Sequence, residues 1–359
     1  MNILICSEFY EPHIGGVEYH SLQLAKFLQK KNHVEIATTF DEKRKIRREL
    51  IKINQFKIRG NFVKGYRGDV LEYQKFLLFN KFDIIFVNAA QQWSLDLLLP
   101  IIEKINAKKI LFPCGFSRLG NFFYIPYFFY LKKKINYFNQ IICTSKNFKD
   151  YLFLKKIFYK KINIIPNGSE LIKPIYSKKK FKIKYNINQD EKIITNISNI
   201  KYFKGQDRSI SILKKIKNLN CKLFIIGNNF SKIYYLILKI LIFIFNLRNA
   251  DKKIILLTTT RNEAMTILQY SDVFLFTSRL EYDPLVIKES ILSSVKFVSF
   301  DVGTVKQYAK KGFGFCSNNQ LQLANKLREF AEIKYNKKKN LRYAWKNILP
   351  EYLKLFKSM

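Results

Sequence analysis

Acidic residues are scarce in this sequence. Its 359 residues hold 27 Asp and Glu against 64 Lys and Arg, a formal charge of +37. A field of that sign attracts anions: nucleotides, phospholipid headgroups, phosphorylated glycans or nucleic acid. Heavy use of Lys, Ile, Asn, Phe and Tyr, as an AT-rich genome produces, accounts for Lys in place of Arg but not for the shortage of acids. Cysteine is also sparse. Cys6, Cys114, Cys143, Cys221 and Cys316 are scattered and form no CxxC or Cys/His cluster. That argues against a structural zinc and for reduced thiols in a cytoplasmic protein. The only histidines are His13, His20 and His33. No apolar run reaches the ~20 residues of a membrane span. The nearest, Ile233 to Leu247, is interrupted by Lys239 and reads as a buried or interfacial helix. Met1 to Cys6 lacks the basic start of a signal peptide and reads as a first strand. No repeat of solenoid length is found.

Hydrophobic residues make up 48% of the chain, and its length suits two domains of roughly 150–180 residues rather than one. Apolar runs alternate with helix-periodic stretches, which predicts an α/β chain with parallel sheets. Strand Ile3 to Cys6, helix Val17 to Lys31 and strand Val34 to Thr38 open the first half. Strands over Phe82 to Asn88, Lys109 to Phe112, Gln140 to Thr144 and Ile162 to Ile165 follow, with a helix over Ser94 to Asn106 and Ser145 as an N-cap. Residues 169 to 182, with Pro174 and Lys178-Lys179-Lys180, show little periodicity and read as a linker. The rhythm restarts with strand Ile193 to Ile197 and helix Gln206 to Leu219, and continues past a helix that begins at Pro284. The expected domains are 1–172 and 183–335, with 336–359 as a closing helix.

Four fragments carry candidate chemistry. Glu11 to Glu18 contains Gly15-Gly16 between strand and helix, where bare backbone N–H groups can meet an anion; a Gly-Gly turn also serves purely structural ends. Lys204-Gly205, at another strand–helix junction with Lys201 nearby, can offer an ammonium to a diphosphate, or be one more solvated lysine. Glu281 lies in a loop after the strand Val273 to Phe276, and Glu289 one to two turns inside the following helix. A carboxylate suits two vicinal hydroxyls, and the amides of Leu285 and Val286, after Pro284, can meet phosphate oxygens. Two acids at this spacing also arise by chance on an exposed helix. Asp301-Val302-Gly303 is a turn one β/α unit later, expected at the same strand ends, or a plain connection.

In register, these fragments resemble the retaining glycosyltransferases of family 4 (glycosyl transferases group 1), whose GT-B fold is two Rossmann-like domains facing across a cleft. Pro12 to Glu18 is similar to that family's N-terminal glycine loop, and Ile165-Pro166-Asn167-Gly168 to its interdomain signature. Lys204-Gly205 resembles its phosphate site, Phe224 to Gly227 its strand with a terminal glycine, and Ser278 to Glu289 its paired glutamates. Tyr343-Ala344-Trp345 resembles the start of its last helix, which in that fold crosses back to the N-terminal domain.

The resemblance implies an acceptor-side first domain and a second domain that binds a UDP- or GDP-linked sugar, with no cofactor. Lys204, helped by Lys201, would neutralise the donor diphosphate beside Gly227 and the start of the 285 helix. Glu289 would take the ribose hydroxyls. Glu281 would contact the transferring sugar or stabilise positive charge at its anomeric carbon. Gly15 and Gly16 would let the first loop close on phosphate or acceptor. Transfer would retain configuration by front-face attack, with the diphosphate oxygen taking the acceptor's proton, so that stabilising the leaving group is the main electrostatic task. The sequence departs from the family where Ser198-Asn199 replaces a Gly-Arg pair, and where Asn88 and Cys114-Gly115 stand in places that often hold histidine. His13, Asn88 and Cys114 are therefore the acceptor-side candidates, and His20 and His33 read as helix-surface residues. The sequence has no Asp-x-Asp, which fits a hexosyltransferase-type enzyme without a metal.

Tyr124 to Phe138 joins aromatics to Lys132-Lys133-Lys134, and Phe153 to Lys161 repeats that chemistry. Such stretches suit an anionic membrane interface, though an aromatic core helix with a charged outer face gives the same pattern. The expectation is a cytoplasmic enzyme, peripheral at the inner leaflet, acting on a glycan or lipid-linked acceptor in bacterial surface-polysaccharide biosynthesis such as lipopolysaccharide assembly. The alternatives are a non-catalytic or epimerase-type protein of the same fold, and a basic nucleic-acid-binding protein. The last predicts a recognition motif that is not found and leaves the two glutamates without a role.

Overall fold

The computed structural model describes residues 1–13, 15–44, 51–333 and 340–359. The chain forms two compact units, Met1–Asn167 with Trp345–Met359, and Gly168–Ala344. In the first unit β1 (Asn2–Cys6), α1 (Gly16–Leu28), β2 (His33–Thr39) and β3 (Lys52–Phe56) lead to a hairpin of β4 (Ile58–Asn61) and β5 (Gly65–Gly68). Then follow α2 (Val70–Phe79), β6 (Ile84–Asn88), α3 (Trp93–Asp96), β7 (Lys108–Phe112), α4 (Ile125–Lys134), β8 (Gln140–Cys143), α5 (Lys149–Ile157) and β9 (Ile162–Ile164). The second unit runs α6 (Lys178–Lys184), β10 (Lys192–Ile197), α7 (Gln206–Lys215), β11 (Cys221–Ile226), α8 (Lys232–Arg248), β12 (Lys252–Leu257), α9 (Arg261–Tyr270) and β13 (Val273–Phe276). It ends with α10 (Leu285–Leu292), β14 (Lys296–Ser299), α11 (Val305–Lys310), β15 (Gly314–Cys316) and α12 (Gln320–Glu332). The last helix, α13 (Trp345–Lys357), belongs to the first unit.

Both main sheets are parallel; inner strands such as β1 and β6 are buried on both faces, as crossover helices on the two sides of a sheet require, while edge strands such as β3 and β15 are partly open. The first has the order β3-β2-β1-β6-β7-β8-β9, the second β12-β11-β10-β13-β14-β15. In each, the chain winds outward one way from the opening strand and then reverses, so a crevice opens at the carboxyl ends where the direction changes. In the second unit that switch lies between β10 and β13, paired through Ile194–Val273 and Thr195–Phe274.

The core on one side of the first sheet is completed by α13. Trp345, Ile348, Leu349, Tyr352 and Phe356 pack with Ile3, Ile5, Leu24, Phe86 and Phe112. Each fully buried side chain of this size stabilises by about 1.5–3 kcal/mol, so the helix is integral to that unit.

Three sequence expectations are corrected. Residues 169–182 are not a linker but part of the second unit. Phe181 is wholly buried against Phe224 and Tyr270, and Ser177 caps α6 by accepting from the Lys180 amide. The lysine run is thus the first turn of a docked helix. Ser145 is not an N-cap: its Oγ accepts from the Asn147 amide at 3.2 Å in a local turn, and α5 begins at Lys149. The helix over Ser94 to Asn106 is broken into α3 and a 3-10 stretch, Leu99–Lys104, with Pro100 at its start. Pro100 lacks the N–H that a continuous α-helix needs there.

Candidate active site

Four strand ends of the second unit are pressed together by glycines. A Cβ on Gly227, just after β11, would lie 1.8 Å from the Ser198 carbonyl after β10. Gly205, at φ +67°, is the N-cap of α7, and a Cβ there would lie 2.2 Å from the Thr277 carbonyl after β13. Gly303, after β14, at φ +56°, would strike the Tyr282 carbonyl at 2.3 Å. Only glycine permits these approaches, and positive φ favours it again at the last two.

The loops after β10 and β13 are also tied by Arg279. Its backbone N–H donates to the Phe203 carbonyl at 2.8 Å. Its guanidinium donates to the Tyr202 carbonyl at 2.7 Å and to both oxygens of Asp207, at 2.8 and 2.5 Å. Burial opposes charge on Asp207, but the bonds from Arg279 and Tyr234 outweigh it and hold the carboxyl below its usual range.

On this platform Lys204 Nζ meets Glu281 Oε1 at 2.5 Å, with the lysine side chain 23% and the glutamate 12% exposed. The two come from loops that leave adjacent strands at the switch point. Lys201, half-buried, precedes Lys204 in the same 3-10 turn and accepts its amide through the backbone at 2.8 Å.

Behind Glu281 lies a wholly buried polar cluster. Asp283 Oδ1 accepts from Lys288 Nζ at 2.5 Å, Thr304 Oγ1 at 2.7 Å and Tyr308 Oη at 2.8 Å. Burial lowers the Lys288 pKa against the opposing pull of Asp283, and raises that of Tyr308. This cluster locks the turn into α10. Pro284 is the helix N-cap, and the first amides, Leu285 and Val286, begin a helix with no acceptor of their own inside it.

Glu289 sits on α10 and is 4% exposed; its Oε1 accepts from Arg261 Nη2 at 2.5 Å and from Ser169 Oγ at 3.4 Å. Arg261, first residue of α9 at the carboxyl end of β12, was not a candidate from sequence. Its only signal is its place at a strand–helix junction, like Lys204. Among the described residues no group of three or more His, Cys, Asp or Glu is arranged to hold a metal ion.

Two family descriptions together match most of the chain: "Glycosyltransferase Family 4" over residues 14–171, and "Glycosyl transferases group 1" over residues 177–347. The chain is a family 4 glycosyltransferase. Solved structures agree in fold. A glycosyltransferase from Rickettsia africae is 20% identical with a TM-score of 0.79, covering 99% of this chain and 97% of that one. Anabaena Alr3699/HepE in complex with UDP and glucose is 16% identical, TM-score 0.76, covering 100% of both. WaaG, a glycosyltransferase involved in lipopolysaccharide biosynthesis, is 15% identical, TM-score 0.63, covering 98% of this chain and 95% of that one. No curated protein sequence matches the chain significantly.

The first unit of this glycosyltransferase treats its candidates differently from the sequence reading. His20 is not a helix-surface residue. It is 1% exposed, its Nε2 lies 2.9 Å from Tyr352 Oη and its Nδ1 3.2 Å from Asn88 Nδ2. Burial pushes its pKa down to about 3. Asn88 is fully buried, and its amide donates to Ser21 Oγ at 2.6 Å and to the Val17 carbonyl at 3.2 Å. It therefore fixes α1 against the sheet, with no surface open to an acceptor. Cys114, at φ +53°, donates through Sγ to Asn88 Oδ1 at 3.0 Å. His33 is exposed, but on β2 and not on a helix.

Among the acceptor-side candidates, His13 is the one well exposed, and its Nε2 lies 3.1 Å from Asp41 Oδ2, a partner the sequence did not suggest. Gly15 caps α1 in extended backbone, and Gly16 is its first residue. The Glu18 carboxylate folds over Gly15, where a Cβ would lie 2.2 Å from its Oε2. An internal acid thus occupies the positive helix end that an anion would seek. Ile14, between them, lies outside the described residues.

Proposed function

We propose that this glycosyltransferase moves a hexose from a nucleoside-diphosphate sugar, UDP- or GDP-linked, to a glycan or lipid-linked acceptor with retention of configuration. The observation that carries the reading is the Lys204–Glu281 pair at the switch point of the second sheet. The ammonium is matched to a departing diphosphate. The carboxylate beside it is matched to the positive charge that grows on the anomeric carbon as the bond breaks. When donor binds, Lys204 exchanges Glu281 for the diphosphate, and the α10 amides and Lys201 share the added charge. Glu289 takes the ribose hydroxyls in place of Arg261. The acceptor's proton passes to the diphosphate oxygen, so no side-chain base is required, and no metal is needed where fixed cations and a helix terminus carry the charge.

Solved relatives named for UDP with glucose and for lipopolysaccharide biosynthesis support a UDP-hexose donor and a place in bacterial surface-polysaccharide assembly. The net charge of +37 supports a cytoplasmic enzyme held at the anionic inner face of the membrane, near a lipid-linked acceptor. Among the described residues no helix is long and apolar enough to cross a membrane.

The test is a thermal-shift screen of UDP, GDP and their sugars, followed by donor turnover with and without EDTA. A ligand that binds the native state raises the melting temperature with its affinity. Turnover that disappears in Lys204→Ala and Glu289→Ala and survives EDTA supports the reading. Donor binding without turnover across a broad acceptor panel would instead favour the non-catalytic alternative, which the buried Asn88 and half-buried Cys114, standing where histidine is common, also fit.

A further inference from the structure

Helix α8 has two apolar sides and only one core to bury them in. Tyr234, Leu238, Ile242 and Phe245 face the second unit's core. On the other side Ile233, Leu236, Ile237, Ile240, Phe243 and Leu247 are exposed, Ile233 to 76%, Phe243 to 64% and Leu247 to 70%. At about 100° per residue these six fall within an arc of about 120°, a continuous apolar stripe. Lys232 and Lys239 border the stripe on one side and Arg248 on the other. No acidic residue occurs from Asn228 to Ala250. The apolar stripe would enter the acyl boundary of a bilayer while the flanking cations meet anionic headgroups, which is the pattern of a helix lying in a lipid interface. A protein partner would need no such one-signed border.

The first turn of α8 is bound to the candidate site. Tyr234 Oη donates to Asp207 Oδ1 at 2.6 Å and accepts from the Asp207 amide at 3.1 Å. The Phe230 amide, just before the helix, donates to the Ile200 carbonyl at 3.2 Å. Phe230, Tyr202 and Phe203 are each more than half exposed, so the apolar surface leads into the turn that carries Lys204.

We infer that the outer face of α8 docks this enzyme on an anionic bilayer, in-plane and without spanning it, and so holds the Lys204 turn at the lipid surface. The inference rests on the membrane-peripheral reading above and assigns the docking to the second unit, not to the aromatic α4 and α5 stretches of the first.

The experiment is flotation of the full chain with vesicles of mixed phosphatidylglycerol and phosphatidylcholine, and with phosphatidylcholine alone, across a salt series. Wild type is expected to float with the anionic vesicles, less so as salt rises. Ile240→Glu with Phe243→Glu is expected to lower the bound fraction by roughly tenfold or more, with thermal shift by UDP unchanged as the check on folding. Lys232→Gln with Lys239→Gln should flatten the salt dependence. Phe122→Ser with Phe129→Ser, on the exposed side of the α4 region, should bind nearly as wild type. If only the Phe122/Phe129 variant is released, the α8 assignment is overturned and the membrane reading stands. If wild type floats with neither vesicle, both fall. A dimer that the Ile240/Phe243 variant dissociates, with flotation unchanged, would show that a second copy covers this face and would also overturn the assignment.

Discussion

Asp283 and Lys288 form an ion pair in which neither side chain reaches solvent, across the turn from β13 into α10. Thr304 and Tyr308 bond the same carboxylate oxygen, so the loop bearing Glu281 is clamped to the next β/α unit. Removing one partner of a buried pair leaves the other uncompensated. Lys288→Met should therefore destabilise by about 3–5 kcal/mol in urea unfolding. Asp283→Asn added to it should recover most of the loss. A single-variant loss under about 1 kcal/mol would contradict a buried charged pair.

The Lys204–Glu281 pair is partly open to water, so its weight in stability is small, about 1 kcal/mol or less. Its weight in turnover is expected to be large. Lys204→Ala should lower kcat/KM by about 10²–10³ with little change in urea midpoint. Steady-state donor kinetics beside unfolding curves separate the two effects. An equal fall in both would make the pair structural.

Glu289 and Lys204 should fail differently when binding is probed with UDP and with inorganic pyrophosphate. Glu289→Ala, which removes the acceptor of ribose hydroxyl bonds, should weaken UDP by about tenfold or more and leave pyrophosphate unchanged. Lys204→Ala should weaken both. Calorimetric titration of the two probes checks this. A Glu289 variant that loses both ligands alike would place that carboxylate elsewhere than at the ribose.

Glu8 and Asp96 in the first unit give the fold a pH dependence. Burial, then the charges of Asp96 and Glu18, raise Glu8 to about 7; burial raises Asp96 to about 7 against the bonds from Tyr66 and Tyr127. A carboxyl whose folded pKa lies above its unfolded value keeps its proton longer in the folded state. Their contribution to stability therefore falls as pH rises from about 4 to about 7 and is level above that, opposing the buried His20, whose lowered pKa adds stability as pH rises toward about 6.5. Asp96→Asn should remove part of this penalty, on the order of 2–4 kcal/mol at pH 8 and almost nothing at pH 4. Melting temperatures of both proteins across that range are the measurement.

The β/α rhythm was legible because strands buried on both faces read as unbroken apolar runs, such as Ile3 to Cys6. Lys204 and Glu281 were legible because each stands at a strand–helix junction, where a polar residue has a cleft to face. Arg261 stands at one too, but its partner is set by packing of α9 against α10, which no local pattern reports. His20 was misread for a like reason: the hydroxyl that satisfies it, Tyr352, is 332 residues away. Ile172, Tyr176 and Phe181 follow neither helical nor strand spacing, so a packed segment looked like a linker. The apolar run of α8 announced a helix but not which of its sides would remain uncovered.

The helix Trp345–Lys357 lies late in the chain yet finishes the core begun by β1. During synthesis the first sheet leaves the ribosome long before its missing wall exists, while the second unit can close as soon as it emerges. The half made first is thus completed last, and until then exposes Ile3, Ile5 and Phe86 to chaperones or to other nascent chains.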